Sequence, residues 1–154
     1  AGITYQAWIY AGDTEKILDF TLDLDDSEFL GDFALSPSFI WHVRTDGNGA
    51  QEEGSVIQLS VSPGFDLIED QLSVSIPAGI AFFLTDDFQG GTDGGYGYSY
   101  LGLSFGVPLS FIPGSYGDWA FNFDVIGYFT DDDAIPGNPE ENFVTGSFGI
   151  SVAF

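Results

Sequence analysis

From Phe148 to the end of the chain, large apolar residues alternate with small ones: Phe148, Ile150, Val152 and Phe154 fall on one side of an extended backbone, and Ser147, Gly149, Ser151 and Ala153 on the other. A period of two is the signature of a strand, because successive side chains point to opposite faces, whereas an amphipathic helix repeats near 3.6. The segment therefore reads as a strand with one broad greasy face and one narrow, mildly polar face. The same alternation returns in nearly every apolar stretch upstream, and this repetition restricts the chain to an all-β fold.

Alternating segments bounded by Gly, Pro, Asn and Asp predict eight strands, at about 3–10, 17–24, 33–44, 55–65, 72–84, 97–111, 119–130 and 143–154. In 33–44, Phe33, Leu35, Phe39, Trp41 and Val43 oppose Ala34, Ser36, Ser38, His42 and Arg44. In 97–111, Leu101, Leu103, Phe105, Val107 and Leu109 oppose Gly102, Ser104, Gly106 and Ser110. Four bulky residues depart from the pattern by falling among the small ones: Ile40, Phe83, Ile126 and Tyr128. An even strand count is what closure of successive hairpins prefers.

Volume and polarity together decide which face looks inward. A soluble sandwich covers its outer face with charged and polar side chains, yet the small face here is mostly Gly, Ser and Ala. Charged residues make up only 17% of the chain, below the roughly 25% usual for soluble domains. If the bulky face meets lipid, glycine and serine line the interior where neighbouring strands converge. The expected fold is thus an antiparallel up-and-down transmembrane β-barrel of about eight strands, a single domain over 1–154 or the closing part of a larger barrel. No apolar run approaches the length of about 18 residues that a membrane helix needs. A basic segment followed by an apolar stretch is also missing, so an exported chain would start at Ala1 after loss of its leader, the alternative being that Ala1 begins a fragment.

The connections alternate in character. Segments 11–16, 45–54, 85–96 and 131–142 are longer on average and strongly acidic, and hold 13 of the 24 acidic residues; those near 25–32, 66–71 and 112–118 are shorter on average and hold fewer. Long loops on one rim and short turns on the other are the asymmetry of outer-membrane barrels. Within the predicted strands only Asp19, Asp23 and Asp124 are acidic, and all three fall opposite the bulky face. Tyr96, Tyr98, Tyr100, Tyr128 and Trp41 gather toward the long-loop ends, and Phe33, Phe65, Phe111, Trp119 and Phe154 toward the short-turn ends. Two such groups are expected to form interfacial aromatic girdles.

The run SYLGLSFGVPLSFIP over 99–113, the YGDW turn over 116–119, the acidic loop after it and the closing GSFGISVAF resemble the C-terminal portion of bacterial outer-membrane β-barrel proteins of the porin type that are themselves poorly characterised. The likeness covers about the last third of the chain and specifies barrel hairpins, with no chemistry attached. It implies residence in the bacterial outer membrane. It also implies that the terminal aromatic, here Phe154, is the signal read by the outer-membrane insertion machinery.

Two basic residues, Lys16 and Arg44, against 24 acidic ones give a net charge of −22. Nucleic acid is excluded as a partner, since phosphates require the basic groups this chain lacks. Catalysis is not expected: with one histidine and no cysteine, no nucleophile and base pair stands out, and no G-x-S-x-G elbow occurs. His42, Arg44, Asp19, Asp23 and Asp124 share the small-residue side of their strands and are expected to pair inside the barrel, because an unpaired charge in a narrow interior is costly. No cofactor is expected; calcium at the acidic loops is the one metal considered, with Asp131, Asp132, Asp133, Glu140 and Glu141 as the best cluster, although their spacing does not fit an EF-hand.

The leading reading is a non-enzymatic outer-membrane barrel, either a surface or structural protein or a narrow porin-like channel with acidic extracellular loops, in contact with outer-membrane lipid and able to form homo-oligomers. The alternative is an extracellular, secreted or halophilic soluble β-sandwich that binds calcium or assembles into a surface array or filament.

Overall fold

Alternation alone accounts for most of the strands in the computed structural model, which describes residues 1–10, 13–47, 53–86, 88–90, 94–138 and 140–153. Ten strands follow in chain order: β1 (Gly2–Tyr10), β2 (Asp13–Asp23), β3 (Ser38–Asp46), β4 (Gly54–Val61), β5 (Gly64–Ile68), β6 (Leu72–Ser75), β7 (Ala78–Phe83), β8 (Gly95–Pro108), β9 (Asp118–Thr130) and β10 (Asn142–Ala153). All pairings are antiparallel.

Ten reduces to eight because two long strands are each broken by a proline. Val61 pairs with Ala78, and beyond the break Gly64 pairs with Ser75 in the continued register. Pro63 and Pro77 sit at the interruptions, where a residue without an N–H cannot serve the ladder. Their carbonyls still do: Pro63 accepts from the Ile76 N–H at 2.9 Å and Pro77 from the Gly102 N–H at 2.8 Å. β4 with β5, and β6 with β7, therefore act as single kinked strands, and the chain is an eight-strand up-and-down meander.

The meander forms one sheet rather than two packed layers, so it is not a sandwich. It curves into an open half-barrel; no pairing joins β1 to β10 among the described residues. The antiparallel up-and-down part of the expected fold is thus present; hairpin pairing propagates the sheet, and joining its first and last strands takes an additional contact. A correction concerns the predicted strand over 33–44, which begins at Ser38; residues 27–33 form a short helical turn. Ser36, at φ 48, and Pro37 end the irregular stretch.

The convex face carries the bulky residues. Ile3 is 73% exposed and Phe148 80%, and Leu59, Leu101, Phe123 and Ile150 are exposed as well. No large side chain is fully buried among the described residues. The chain exposes 9819 Å², where a compact soluble monomer of 16.6 kDa would expose roughly 7,600 Å². Outward aromatic pairs such as Phe20 with Trp41 (5.4 Å between centroids) and Phe105 with Phe123 (6.2 Å) pack along the surface rather than into a centre.

An apolar cluster of buried residues lies on the concave side at one end of the sheet, where Val56, Ala81 and Phe83 meet Phe88 and Ala134. Phe88 and Ala134 come from the connections after β7 and β9. Two of the long acidic segments thus fold back over the concave face.

Candidate functional site

The concave face is built by register. Reading across neighbours, Asp19 of β2 lies beside His42 of β3, His42 beside Val56 of β4, Gln58 beside Ala81 of β7, Ala81 beside Tyr98 of β8, Tyr100 beside Tyr128 of β9, and Tyr128 beside Phe143 of β10. Side chains of Asp19, His42, Gln58, Tyr98, Tyr128 and Phe143 line one cavity of about 490 Å³. A second cavity of about 430 Å³ lies further along β8 and β9, between Ser73, Ser104, Asn122 and Asp124.

All five residues expected to pair inside lie on this face, but their partners differ from one another. His42 Nδ1 stands 2.6 Å from Asp19 Oδ1, while Asp19 Oδ2 accepts from the Gln6 amide. Arg44 does not join that pair. Its guanidinium donates to Glu15 and to the Phe88 carbonyl, and lies 3.9 Å from the centroid of the Phe88 ring. Glu15 and Arg44 are 4% and 3% exposed, so the pair is a buried structural clasp between the sheet and the connection that carries Phe88. Asp23 and Asp124 have no cation partner among the described residues: they accept from the Ser38 and Ser147 hydroxyls at 2.7 and 2.9 Å. Lys16 pairs with Asp46 near the rim.

Glu15 was not among the sequence candidates, because the loop 11–16 was expected to contain it. β2 begins at Asp13 instead, and strict alternation along it, in an unbroken register with β1, puts Glu15 and Ile17 on the same inward side as Asp19. Phe88 was missed as well. A lone phenylalanine inside the acidic stretch TDDFQGG was its signal, as the Ala134-Ile135 pair was within DDDAIPG.

The four departures from alternation mark the same place. Ile40, Phe83 and Tyr128 line the first cavity, and Ile126 packs over Gly102. Tyr98, Tyr100 and Tyr128 were expected to join an outer girdle; they face the concave side instead. Rings follow one another across β7 to β10: Phe83 to Tyr98 at 6.5 Å, Tyr98 to Tyr128 at 6.3 Å, and Tyr128 stacked on Phe143 at 5.2 Å. The Tyr98 hydroxyl donates to Gln58 Oε1 at 2.9 Å, and Gln58 Nε2 donates to the Tyr100 hydroxyl at 3.4 Å. Glycines make room for these rings. A Cβ on Gly79 would stand 2.6 Å from the Tyr100 ring, and one on Gly97 2.9 Å from that of Phe83.

Of the metal candidates, the carboxylates of Asp131, Asp132 and Asp133 come within 4.8 Å of one another, whereas Glu140 and Glu141 do not join them. Asp131 Oδ1 already accepts the Asp133 and Ala134 N–H groups at 3.0 and 3.3 Å, closing an Asx turn. That turn accounts for the Asp131 carboxylate within the acidic loop. Phe154, expected to be the insertion signal, lies outside the described residues. No helix among the described residues is long and apolar enough to cross a membrane, which leaves spanning by strands open. No protein family, curated protein or solved structure matches the chain.

Proposed function

We propose that this chain forms the wall of a bacterial outer-membrane β-barrel that performs no catalysis. One observation carries the reading: the sheet is inside out by the standard of a soluble domain, with large apolar side chains exposed along its convex face while the buried Glu15–Arg44 ion pair and the Asp19–His42 contact sit on the concave one. In water that arrangement forfeits the hydrophobic stabilisation of every exposed leucine and phenylalanine; in lipid it costs nothing and keeps charges away from hydrocarbon. Unsatisfied strand edges are not tolerated in a bilayer, so β1 and β10 must be paired there, with each other or with those of a second copy.

Within such a wall the inward-folded connections narrow one mouth. Arg44 ties Phe88 to the sheet, and Ala134 packs beside Phe88. A passage constricted by its own loops suits a surface protein or a selective narrow channel better than an open general pore. The acidic connections, on the rim opposite both termini, would face the cell exterior.

Refolding from urea into alkyl-maltoside micelles or phosphatidylethanolamine-rich vesicles tests the reading. A folded barrel would migrate as a compact band in SDS and shift only on boiling, and Trp41 fluorescence would be quenched by bromine-labelled acyl chains. A chain that is monodisperse in buffer alone and unfolds cooperatively there would overturn it.

A further inference from the structure

We propose that the cavity on the concave face binds an organic cation, an alkylammonium group stacked on the Tyr98, Tyr128 and Phe143 rings and countered by the Asp19 carboxylate. This deepens the barrel reading and rests on it only in needing the concave face intact and open to water.

Three features select that ligand class. The first is the continuous row of rings from Phe83 to Phe143, whose faces carry the negative end of the aromatic quadrupole. Gln58 holds the Tyr98 hydroxyl, so this ring is fixed in place before any ligand arrives. The second is Asp19, the one carboxylate among the residues lining the cavity. Its side chain is 13% exposed, and its Oδ1, though beside His42, has no aligned hydrogen-bond donor. The carboxylate places a negative charge in the cavity wall, and a quaternary ammonium, which has no N–H to donate, is countered by it through Coulomb attraction rather than a hydrogen bond. The third is the absence of lysine and arginine from the lining. Arg44 is clasped by Glu15 and Phe88, and Lys16 pairs with Asp46.

Other ligand classes fit less well. An anion would meet a carboxylate and no basic side chain except His42. A neutral polyol would find the Tyr98 hydroxyl and the Gln58 amide already bonded to each other. A hydrated inorganic ion gains little from aromatic faces, which suit weakly hydrated organic cations. The volume of about 490 Å³ lies within the range of small-molecule sites, and a chain carrying −22 raises the local concentration of cations around it.

Choline and its uncharged isostere 3,3-dimethylbutan-1-ol are the probes, titrated calorimetrically into the full chain folded in maltoside micelles, which contain no choline headgroups. Choline should bind at least roughly tenfold more tightly than the isostere, because a desolvated cation–π contact with a countercharge contributes on that scale. Asp19→Asn should weaken choline binding by about tenfold, Tyr128→Leu should do the same, and Tyr128→Phe should preserve it. Rising NaCl should weaken choline and leave the isostere unchanged, a readout on the native chain that needs no variant. Equal binding of the two probes, no binding of choline, or native affinity in both Asp19→Asn and Tyr128→Leu overturns the site. The heat-modifiable SDS band, read on the same samples, reports separately on the barrel: a chain soluble without detergent that still binds choline sinks the barrel and keeps the site.

Discussion

At the turn between β2 and β3, one carboxylate holds a backbone that would otherwise be strained. Ser36 has φ 48 and precedes Pro37, a position where the left-handed conformation is doubly disfavoured. Asp26 accepts the Ser36 N–H at 2.9 Å and the Leu35 N–H at 3.0 Å. These bonds, from Ser36 first and Leu35 second, hold its carboxyl below the ordinary aspartate value of 3.8. Since the folded value is depressed, the stabilisation is complete above the ordinary value and disappears as pH falls through the lowered one. Protection of the Leu35 and Ser36 amides, relative to their intrinsic exchange rates at each pH, should therefore fall on acidification over that window. Asp26→Asn should show the lower protection already at neutral pH, without the acid-dependent step. The buried clasp makes a second residue-scale test. Glu15→Ala removes the carboxylate that the buried Arg44 guanidinium pairs with and should cost about 3–5 kcal/mol in urea unfolding from micelles, whereas the paired change Glu15→Leu with Arg44→Leu should recover most of it.

At the scale of the element, the two faces of a strand predict opposite responses to the same substitution. Leu103 and Ser104 are neighbours on β8; Leu103 points outward and is exposed, while Ser104 lines the second cavity opposite Asp124. In a lipid-facing wall Leu103→Arg should cost about 2–4 kcal/mol near mid-membrane. Ser104→Arg gains a carboxylate neighbour and water, so it should cost far less. A soluble sheet would tolerate Leu103→Arg, since the site is already exposed, so unfolding midpoints of these two variants in vesicles discriminate the environments directly. The kinks at Pro63 and Pro77 belong to this scale too. Both prolines were visible in the sequence, but they were read as lying within strands; their effect is to split the hydrogen-bond ladder while the register runs on.

At the scale of the whole molecule, the open question of closure becomes an experiment on two edges. Single cysteines placed along β1 and β10, in a chain with no native cysteine, should form a disulfide within one chain when the protein is folded in vesicles. The product would be a band of unchanged mass whose boiled form migrates faster than the reduced one, because the cross-link keeps the unfolded chain looped. A cross-linked dimer in its place would assign closure to a second copy. Either closure also predicts that the half-barrel's 9819 Å² of exposed surface includes strand edges that become protected from amide exchange in lipid and remain exchangeable in the unfolded chain.

Strand number, strand order and the identity of the greasy face were legible from local periodicity, because alternation depends only on neighbours along the chain: Phe148 and Ile150 share a face wherever the strand is placed. Even the exceptions were informative, for Ile40, Phe83, Ile126 and Tyr128 were the bulky residues that the concave face could take in. What only the tertiary structure decided was which inward groups meet. Glu15 reaches Arg44 across 29 residues and Arg44 reaches Phe88 across 44, and Asp23 and Asp124 settle on the serines of the neighbouring strands. Such pairings are set by register shifts, by the curvature of the sheet and by loops that fold back over it. Those are long-range consequences of packing, and a residue's immediate neighbours carry no record of them.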